Sequence, residues 1–280
     1  MNPQVSIVIS TYGRFNEIDL LLNSLVLQEC KQSIFEVIII DQNDKIDLSP
    51  IILKFENKLG LIYYKTDAKG LSKAKNKGIE LAKGRIITFS DDDCTFYEDT
   101  ISSAISYFES NPTVDVVYGR LYDKGNKKNI MREWSKKDLT LNKLNFHLNY
   151  SAVTCFTKVK TIFFDERLGV GAEIGLGEEL DYIMQVLNLK LKIEYTSSIS
   201  IWHPELNVNS MSKEKVYTYA YGLGAVFRKN FGFEFGIILL LSFGYQFLRL
   251  FISMFKLDFE SAHKMILGVK GRVLGFILYK

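Results

Sequence analysis

Short runs of β-branched and aromatic residues alternate with segments of helical periodicity through the first half of the chain, and this alternation constrains the fold more than any other feature. Val5–Ser10, Glu36–Asp41, Leu61–Lys65 and Arg85–Ser90 form the apolar runs. Between them lie Glu17–Gln28, a weaker Ser49–Asn57, and Leu71–Lys83, with apolar residues at helical spacing. Strands alternating with helices predict right-handed βαβ units and a mostly parallel sheet flanked by helices, an α/β fold. Ligands bind beyond the carboxyl ends of such strands. Three of these ends carry polar clusters: "STYGR" at Ser10–Arg14, "DQND" at Asp41–Asp44 and "SDDD" at Ser90–Asp93.

A further helix, Glu98–Asn111, and a strand near Val114–Tyr118 precede a polar stretch, Asp123–Lys137, that reads as a long loop. The second half then holds "GLGEELDYIMQVLNL" at Gly175–Leu189, a glycine-rich loop entering a helix, and "IEYTSSISIWH", a strand ending at His203. The expected organisation is a main region over residues 1–212, in two halves (1–93 and 94–212), and a helical tail over 213–280.

Charge excludes one class of partner and points to another. The net charge of +3 and the absence of basic runs interleaved with aromatics argue against nucleic acid. The segment 213–280 holds ten Lys/Arg against four Asp/Glu, so the basic excess is in the tail and the preceding region is acidic. Cys30, Cys94 and Cys155 are scattered, without C-x-x-C spacing, and fit a reducing cytosol. The N-terminus lacks the basic n-region and long apolar stretch of a secretory signal.

The sharpest chemical signal is Asp91, Asp92 and Asp93 at the end of a buried strand. Carboxylates this close raise one another's pKa unless a cation sits among them. At a strand's C-terminal end, Mg2+ or Mn2+ is held together with a substrate phosphate. Alternate residues of an extended segment face the same way, so Asp91 and Asp93 are expected to share one ion. The competing reading is a solvated turn that caps the next helix. In "GLSKAKNKGIELAKG", Lys75 falls on the apolar stripe of Leu71, Ala74, Gly78, Leu81 and Ala82. It either snorkels past its neighbours or reaches toward a diphosphate.

Four motifs in this order resemble glycosyltransferase family 2 with the GT-A, Rossmann-like fold: "VSIVISTYGR", "EVIIIDQND", "GLSKAKNKGIELAKGRIITFSDDD" and "GLGEELDY". The resemblance covers roughly the first 205 residues and implies a catalytic domain over 1–212, with a nucleotide-binding half at 1–93 and an acceptor half at 94–212, ahead of a membrane-associated tail at 213–280. It implies that Thr11, Tyr12 and Arg14 line a nucleotide pocket with Lys75 and Asp92, that Asp41 hydrogen-bonds the base, typically uracil, and that Asp91 and Asp93 bind the metal. It also implies that Glu179 is the general base, accompanied by Asp181. His203 is read either as a satisfied strand-end histidine or as a third metal or diphosphate ligand, and Trp202 as core or as a sugar platform. Two positions depart from the family pattern: Gln42, where a second acid is common, and Lys75, where arginine is common. Lysine lacks the bidentate fork.

Periodicity alone places Leu180, Ile183, Met184, Leu187 and Leu191 on the buried stripe, with Glu178 pointing away and Glu179 and Asp181 flanking it. Acids in a first turn also suit the helix dipole irrespective of catalysis.

In the tail, Phe235–Leu248 is an uncharged run of fourteen residues, below the ~20 that a spanning helix needs. The alternatives are a span that tolerates Arg249, a helix in the membrane interface with Lys264, Lys270 and Arg272 facing anionic headgroups, and a core helix.

The activity these features imply is a metal-dependent, inverting transfer from a nucleotide-sugar donor, with UDP as the implied nucleotide. The acceptor would be lipid-linked or an oligosaccharide, in surface polysaccharide synthesis at the cytoplasmic face of the cell membrane. A nucleotidyltransferase would carry a glycine-rich loop after the first strand, and a dehydrogenase G-x-G-x-x-G; neither is present in "STYGR". A non-catalytic sugar-nucleotide-binding protein is the rival of a different class.

Overall fold

The computed structural model describes residues 3–205 and 211–279. The chain divides into two compact units, Met1–Phe163 with Val186–Leu206, and Phe164–Gln185 with Asn207–Lys280.

The first unit is built on β1 (Val5–Thr11), α1 (Asn16–Val26), β2 (Phe35–Asp41), α2 (Ser49–Phe55), β3 (Leu61–Lys65), α3 (Leu71–Leu81) and β4 (Ile86–Ser90). Strands β3, β2, β1 and β4 lie side by side in that order, all parallel. Every residue of β1, β2 and β4 is buried, as expected of strands covered on both faces. Each buried Ile or Val side chain contributes about 1.5–3 kcal/mol relative to exposure. Helix α3 packs on β1 and β2, and at Gly78 the approach leaves no room for a side chain. A Cβ there would stand 2.1 Å from Val8 Cγ1.

Beyond β4 the pattern changes. Next come β5 (Thr95–Phe96), α4 (Thr100–Ser110), β6 (Val116–Asp123), β7 (Lys128–Asn129), β8 (Leu139–Leu141) and β9 (Cys155–Thr157). They are followed by α5 (Glu178–Asn188) and β10 (Ile193–Trp202). The sheet continues from β4 through β9, β6 and β10 to β5, with β9 and β5 antiparallel to their neighbours and β6 parallel to β10. The sheet is therefore parallel in its first half and mixed in its second. The stretch Asp123–Lys137, expected as loop throughout, contains β7, paired to an extended β6. Strands of two or three residues bury too little to leave a periodic trace.

The second unit holds most of α5 and the helices α6 (Lys213–Lys229), α7 (Phe233–Phe255) and α8 (Phe259–Leu278). Helix α6 packs on α8 through small residues, Ala220, Gly224 and Ala225 facing Gly271 and Gly275, and α7 packs on α8. The uncharged fourteen-residue run is thus only part of a 23-residue helix that continues through Arg249. This helix is long and apolar enough to cross a membrane, and only 17% of its most apolar window is buried. Leu240, Leu241, Tyr245, Phe247, Leu248, Phe251, Met254 and Phe255 are all exposed.

Candidate functional site

The carboxyl ends of β1, β2 and β4 and the residue following β10 bring the polar clusters of the first unit together. Parallel pairing sets Thr11 opposite Asp41, and Asp41 opposite Lys65. Asp91–Asp93 follows β4 as a turn rather than an extended segment. Asp91 and Asp93 converge because the turn folds them toward His203, and strand alternation plays no part.

His203 Nε2 lies 3.7 Å from Asp91 Oδ2 and 3.5 Å from Asp93 Oδ1. Its Nδ1–H donates to the Pro204 carbonyl at 2.7 Å. That bond fixes the ring and leaves Nε2 facing the two carboxylates, the orienting arrangement found behind metal-bound histidines. One ligand atom from each of Asp91, Asp93, Cys94 and His203 lies within 4.8 Å of the others. Burial, reinforced by the charges of Asp91 and Asp93, pushes the Cys94 thiol well above its ordinary range, so it stays protonated. The working donor set is two carboxylates and one imidazole, which suits Mn2+ or Mg2+.

The electrostatics point the same way. Burial, with added repulsion from Asp93 and Asp91, pushes Asp92 up to about 6, against the opposing pull of Arg14. Burial also disfavours ionisation of Asp91, but the pairing with His203 and the charge of Lys75 outweigh it and hold that carboxyl below its usual range. His203 is desolvated too, yet Asp91, the Pro204 carbonyl and Asp93 raise its pKa. A proton and any bound cation would therefore compete for the same Nε2.

Lys75 is 2% exposed, so it does not snorkel to water; α3 carries it against the sheet close enough to stabilise ionised Asp91. Arg14 donates to Asp93 Oδ2 at 3.0 Å and to Glu17 Oε1 at 2.8 Å, with Asp92 Oδ1 3.7 Å from its Nε. It braces the aspartate turn from the opposite flank. Thr11 is buried at the end of β1, and Tyr12 is 60% exposed with Lys69 Nζ 5.1 Å from its ring centre.

Asp41 is fully buried and heavily used within the protein. Its Oδ1 accepts from Asn43 N and Nδ2, both at 2.8 Å, and its Oδ2 from Tyr63 Oη at 2.6 Å and Lys65 Nζ at 2.9 Å. Burial and the Asp41 carboxylate drive the Tyr63 hydroxyl upward, which keeps it a donor. Gln42, at the position where a second acid is common, donates instead to the carbonyls of Ala68 and Gly70. Tyr63, Lys65 and Lys69 are not anticipated from sequence, and Asn43 only as part of the "DQND" cluster; the register of β3 on β2 is the available signal for Lys65.

In the second unit, Gly177 enters α5 at φ +116°, a left-handed conformation, and a Cβ there would meet Val226 Cγ2 at 2.7 Å. Glu179 is half-buried. Glu178, expected to face away from the core, is only 5% exposed. The expectation fails because Leu180, Asp181, Tyr182, Ile183 and Met184 are all buried, so the apolar stripe does not mark the limits of the enclosed arc. Asp181 is completely buried and accepts from Lys229 Nζ, Asn230 Nδ2 and Gln185 Nε2, each at 2.8 Å. It anchors α5 to the end of α6.

The family model described as glycosyl transferase family 2 matches residues 6–167. An uncharacterized glycosyltransferase of Rickettsia felis is 30% identical over 126 residues, 44% of this chain and 21% of its own length. The Staphylococcus aureus (strain Mu50) poly(ribitol-phosphate) beta-N-acetylglucosaminyltransferase TarS is 26% identical over 171 residues, 58% of this chain and 30% of its own. The alignments thus span about a fifth to a third of these relatives. Among solved structures, S. aureus TarS in complex with UDP-GlcNAc superposes with a TM-score of 0.63 at 20% identity, covering 82% of this chain and 68% of that one. The mannosyltransferase PcManGT of Pyrobaculum calidifontis, in complex with GDP-Man and Mn2+, gives a TM-score of 0.65 at 14% identity, covering 100% and 89%. Both likenesses establish the GT-A architecture.

Proposed function

The chain belongs to glycosyl transferase family 2, and from that premise we propose a metal-dependent, inverting transfer of sugar from a UDP-sugar to a lipid-linked or saccharide acceptor in surface polysaccharide synthesis. The observation that carries the reading is the convergence of Asp91, Asp93 and His203 at the carboxyl ends of the strands. These three side chains would hold Mg2+ or Mn2+, whose chemistry is to neutralise the charge of the leaving diphosphate. Lys75, buried beside Asp91, adds positive charge at the same place. Arg14 holds Asp93 in position, and Asp41 with Tyr63 and Lys65 forms the polar floor against which a uracil edge would pair. Glu179 accepts the proton of the acceptor hydroxyl as it attacks the anomeric carbon. Asp181 positions the helix that carries it.

UDP is favoured by the likeness to TarS, which was solved with UDP-GlcNAc. The fold alone does not select the nucleotide, since the Pyrobaculum enzyme was solved with GDP-Man. For the membrane, the support is the exposed apolar arc of α7 beside a basic tail. We place α7 flat in the interface of the cytoplasmic leaflet, because Gln246 and Arg249 lie on its inner side.

Calorimetric titration of UDP and GDP with and without Mn2+ tests the donor assignment. Metal-stimulated UDP binding is expected; binding of GDP alone, or indifference to chelator, overturns it. Release of sugar from the donor separates a transferase from a non-catalytic binding protein.

A further inference from the structure

A cavity of about 610 Å³ lies within the helical unit, lined by residues of α6, α7 and α8. Among the described residues three cations line it, Arg249, Lys264 and Arg272, against one carboxylate, Asp258. Asp258 is committed to capping α8, accepting from Ser261 N at 3.0 Å, and Lys264 pairs with Glu260 on its own helix at 3.3 Å. Arg272 donates through Nη1 to the Gly268 carbonyl at 2.9 Å, while its Nε is buried with no acceptor among the described residues. Gln246 is 9% exposed, and its buried Oε1 has no donor among them. One guanidinium nitrogen and one amide oxygen of residues lining the cavity are thus left unmatched, and an anion would relieve the cost of the first directly.

The space between them depends on Gly268. A Cβ there would stand 3.1 Å from Gln246 Oε1 and 3.2 Å from Arg272 Nη1. Any larger residue would begin to fill the gap that separates the two groups.

We propose that this cavity binds the phosphate of an anionic lipid headgroup. A tetrahedral anion offers acceptors to Arg272 Nε, to the Arg249 guanidinium, to Lys264 and to the amide nitrogen of Gln246, whose side chain can turn over to present it. The lipid source is favoured over free phosphate by the surroundings. Tyr245 and Leu248, adjacent in sequence to Gln246 and Arg249, are 58% and 57% exposed, and they continue into the apolar arc of α7. The sequence alone groups Lys264, Lys270 and Arg272 as one outward basic face. In the structure Lys264 and Arg272 line the cavity and only Lys270 is exposed. The inference rests on the membrane reading given above.

The test is cosedimentation of the full-length protein with phosphatidylcholine vesicles, with and without phosphatidylglycerol, alongside thermal melts in inorganic phosphate. Arg272→Gln is expected to lower the preference for anionic vesicles by about tenfold, whereas Lys270→Gln changes it less than twofold. Gln246→Leu, which removes a buried unmatched amide, is expected to melt no lower than wild type and still lose most of the preference. Equal losses in Arg272→Gln and Lys270→Gln would mean diffuse surface attraction and would overturn the site. If wild type ignores vesicles altogether, the membrane reading fails. Phosphate stabilisation that disappears in Arg272→Gln would then overturn the lipid source and leave a site for free phosphate, and no stabilisation would overturn the site itself.

Discussion

Lys229, the last residue of α6, donates to Asp181 on α5 at 2.8 Å, and the Asp181 carboxylate it reaches is wholly removed from solvent. The helix bearing the proposed base is thereby tied to the first helix of the C-terminal segment. Lys229→Met removes the charged partner but leaves Asn230 and Gln185 in place, so the expected cost is about 2 kcal/mol in urea denaturation. Cutting the chain before Lys213 strips Asp181 of both Lys229 and Asn230 and should cost more than cutting after Lys229. A Lys229→Met variant as stable as wild type would show that the pair does not anchor α5.

The same network predicts acid sensitivity. Asp165 is desolvated, which alone would raise its pKa, but hydrogen bonds from Arg167 and Lys229 outweigh burial and hold it well below the usual carboxylate range. A folded pKa below the unfolded one contributes stability above the unfolded value, near 4, and loses it as pH falls toward the folded value. Asp165→Asn should therefore be less stable than wild type at pH 7, with the gap narrowing steadily below pH 4. Denaturation midpoints at several acid pH values check the sign, and a gap that widens on acidification would contradict it.

Glu179→Gln keeps size and removes the base, so donor affinity should stay near wild type while transfer falls by roughly 10²-fold or more. Glu178→Gln is expected to act on stability instead, because Glu178 is buried. A melting curve and a turnover assay on each variant separate the two roles. The assignment fails if Glu178→Gln abolishes transfer with its melting temperature unchanged.

How much of this was legible in the sequence depends on how far each contact reaches along the chain. Strands β1 to β4 and helices α1, α3 and α4 announce themselves through continuous apolar runs and local periodicity, within two residues of their ends. The aspartate turn and His203 were visible as residue types at strand ends. That Asp91 and Asp93 share a site is expected from sequence, but His203 beside them is only one of two readings there, since its approach comes from β10 joining a sheet begun far earlier in the chain. Tyr63 and Lys65 reach Asp41 only through strand register, and β5, β8 and β9 are too short to show a period. Glu178 was misjudged because an apolar stripe records which side chains need burial and leaves open which polar ones are enclosed with them. The uncharged run in α7 stops at Arg249, but that residue lines a cavity and does not end the helix.

At the proposed metal site, Asp93→Ala and Asp91→Ala should each abolish metal-stimulated UDP binding, a loss on the order of 10²-fold in apparent affinity. Neither carboxylate is part of the apolar core, so circular dichroism should be unchanged. His203→Gln should weaken Mn2+ binding measured by itself, without nucleotide, because the Nε2 donor is lost. Undiminished metal-stimulated binding in both aspartate variants would remove the basis for the site.

The exposed arc of α7 makes the most direct prediction about where the enzyme works. Leu248 and Phe251 are 57% and 69% exposed, and burial of such side chains is worth about 1.5–3 kcal/mol each. Water offers nothing in return for displaying them, whereas the acyl boundary of a bilayer does. On the proposed membrane reading, holding the enzyme at a surface would also turn the search for a lipid-linked acceptor into a local one and raise its effective concentration. Leu248→Glu with Phe251→Glu introduces two charges where apolar contact is expected. Vesicle flotation of this double variant should fall by at least 10²-fold while UDP binding stays at the wild-type level, since neither residue belongs to the donor site. High salt should release the wild-type protein only partly, because the apolar term is indifferent to screening. If the double variant floats as well as wild type, α7 does not face the membrane and the apolar arc must be covered by protein.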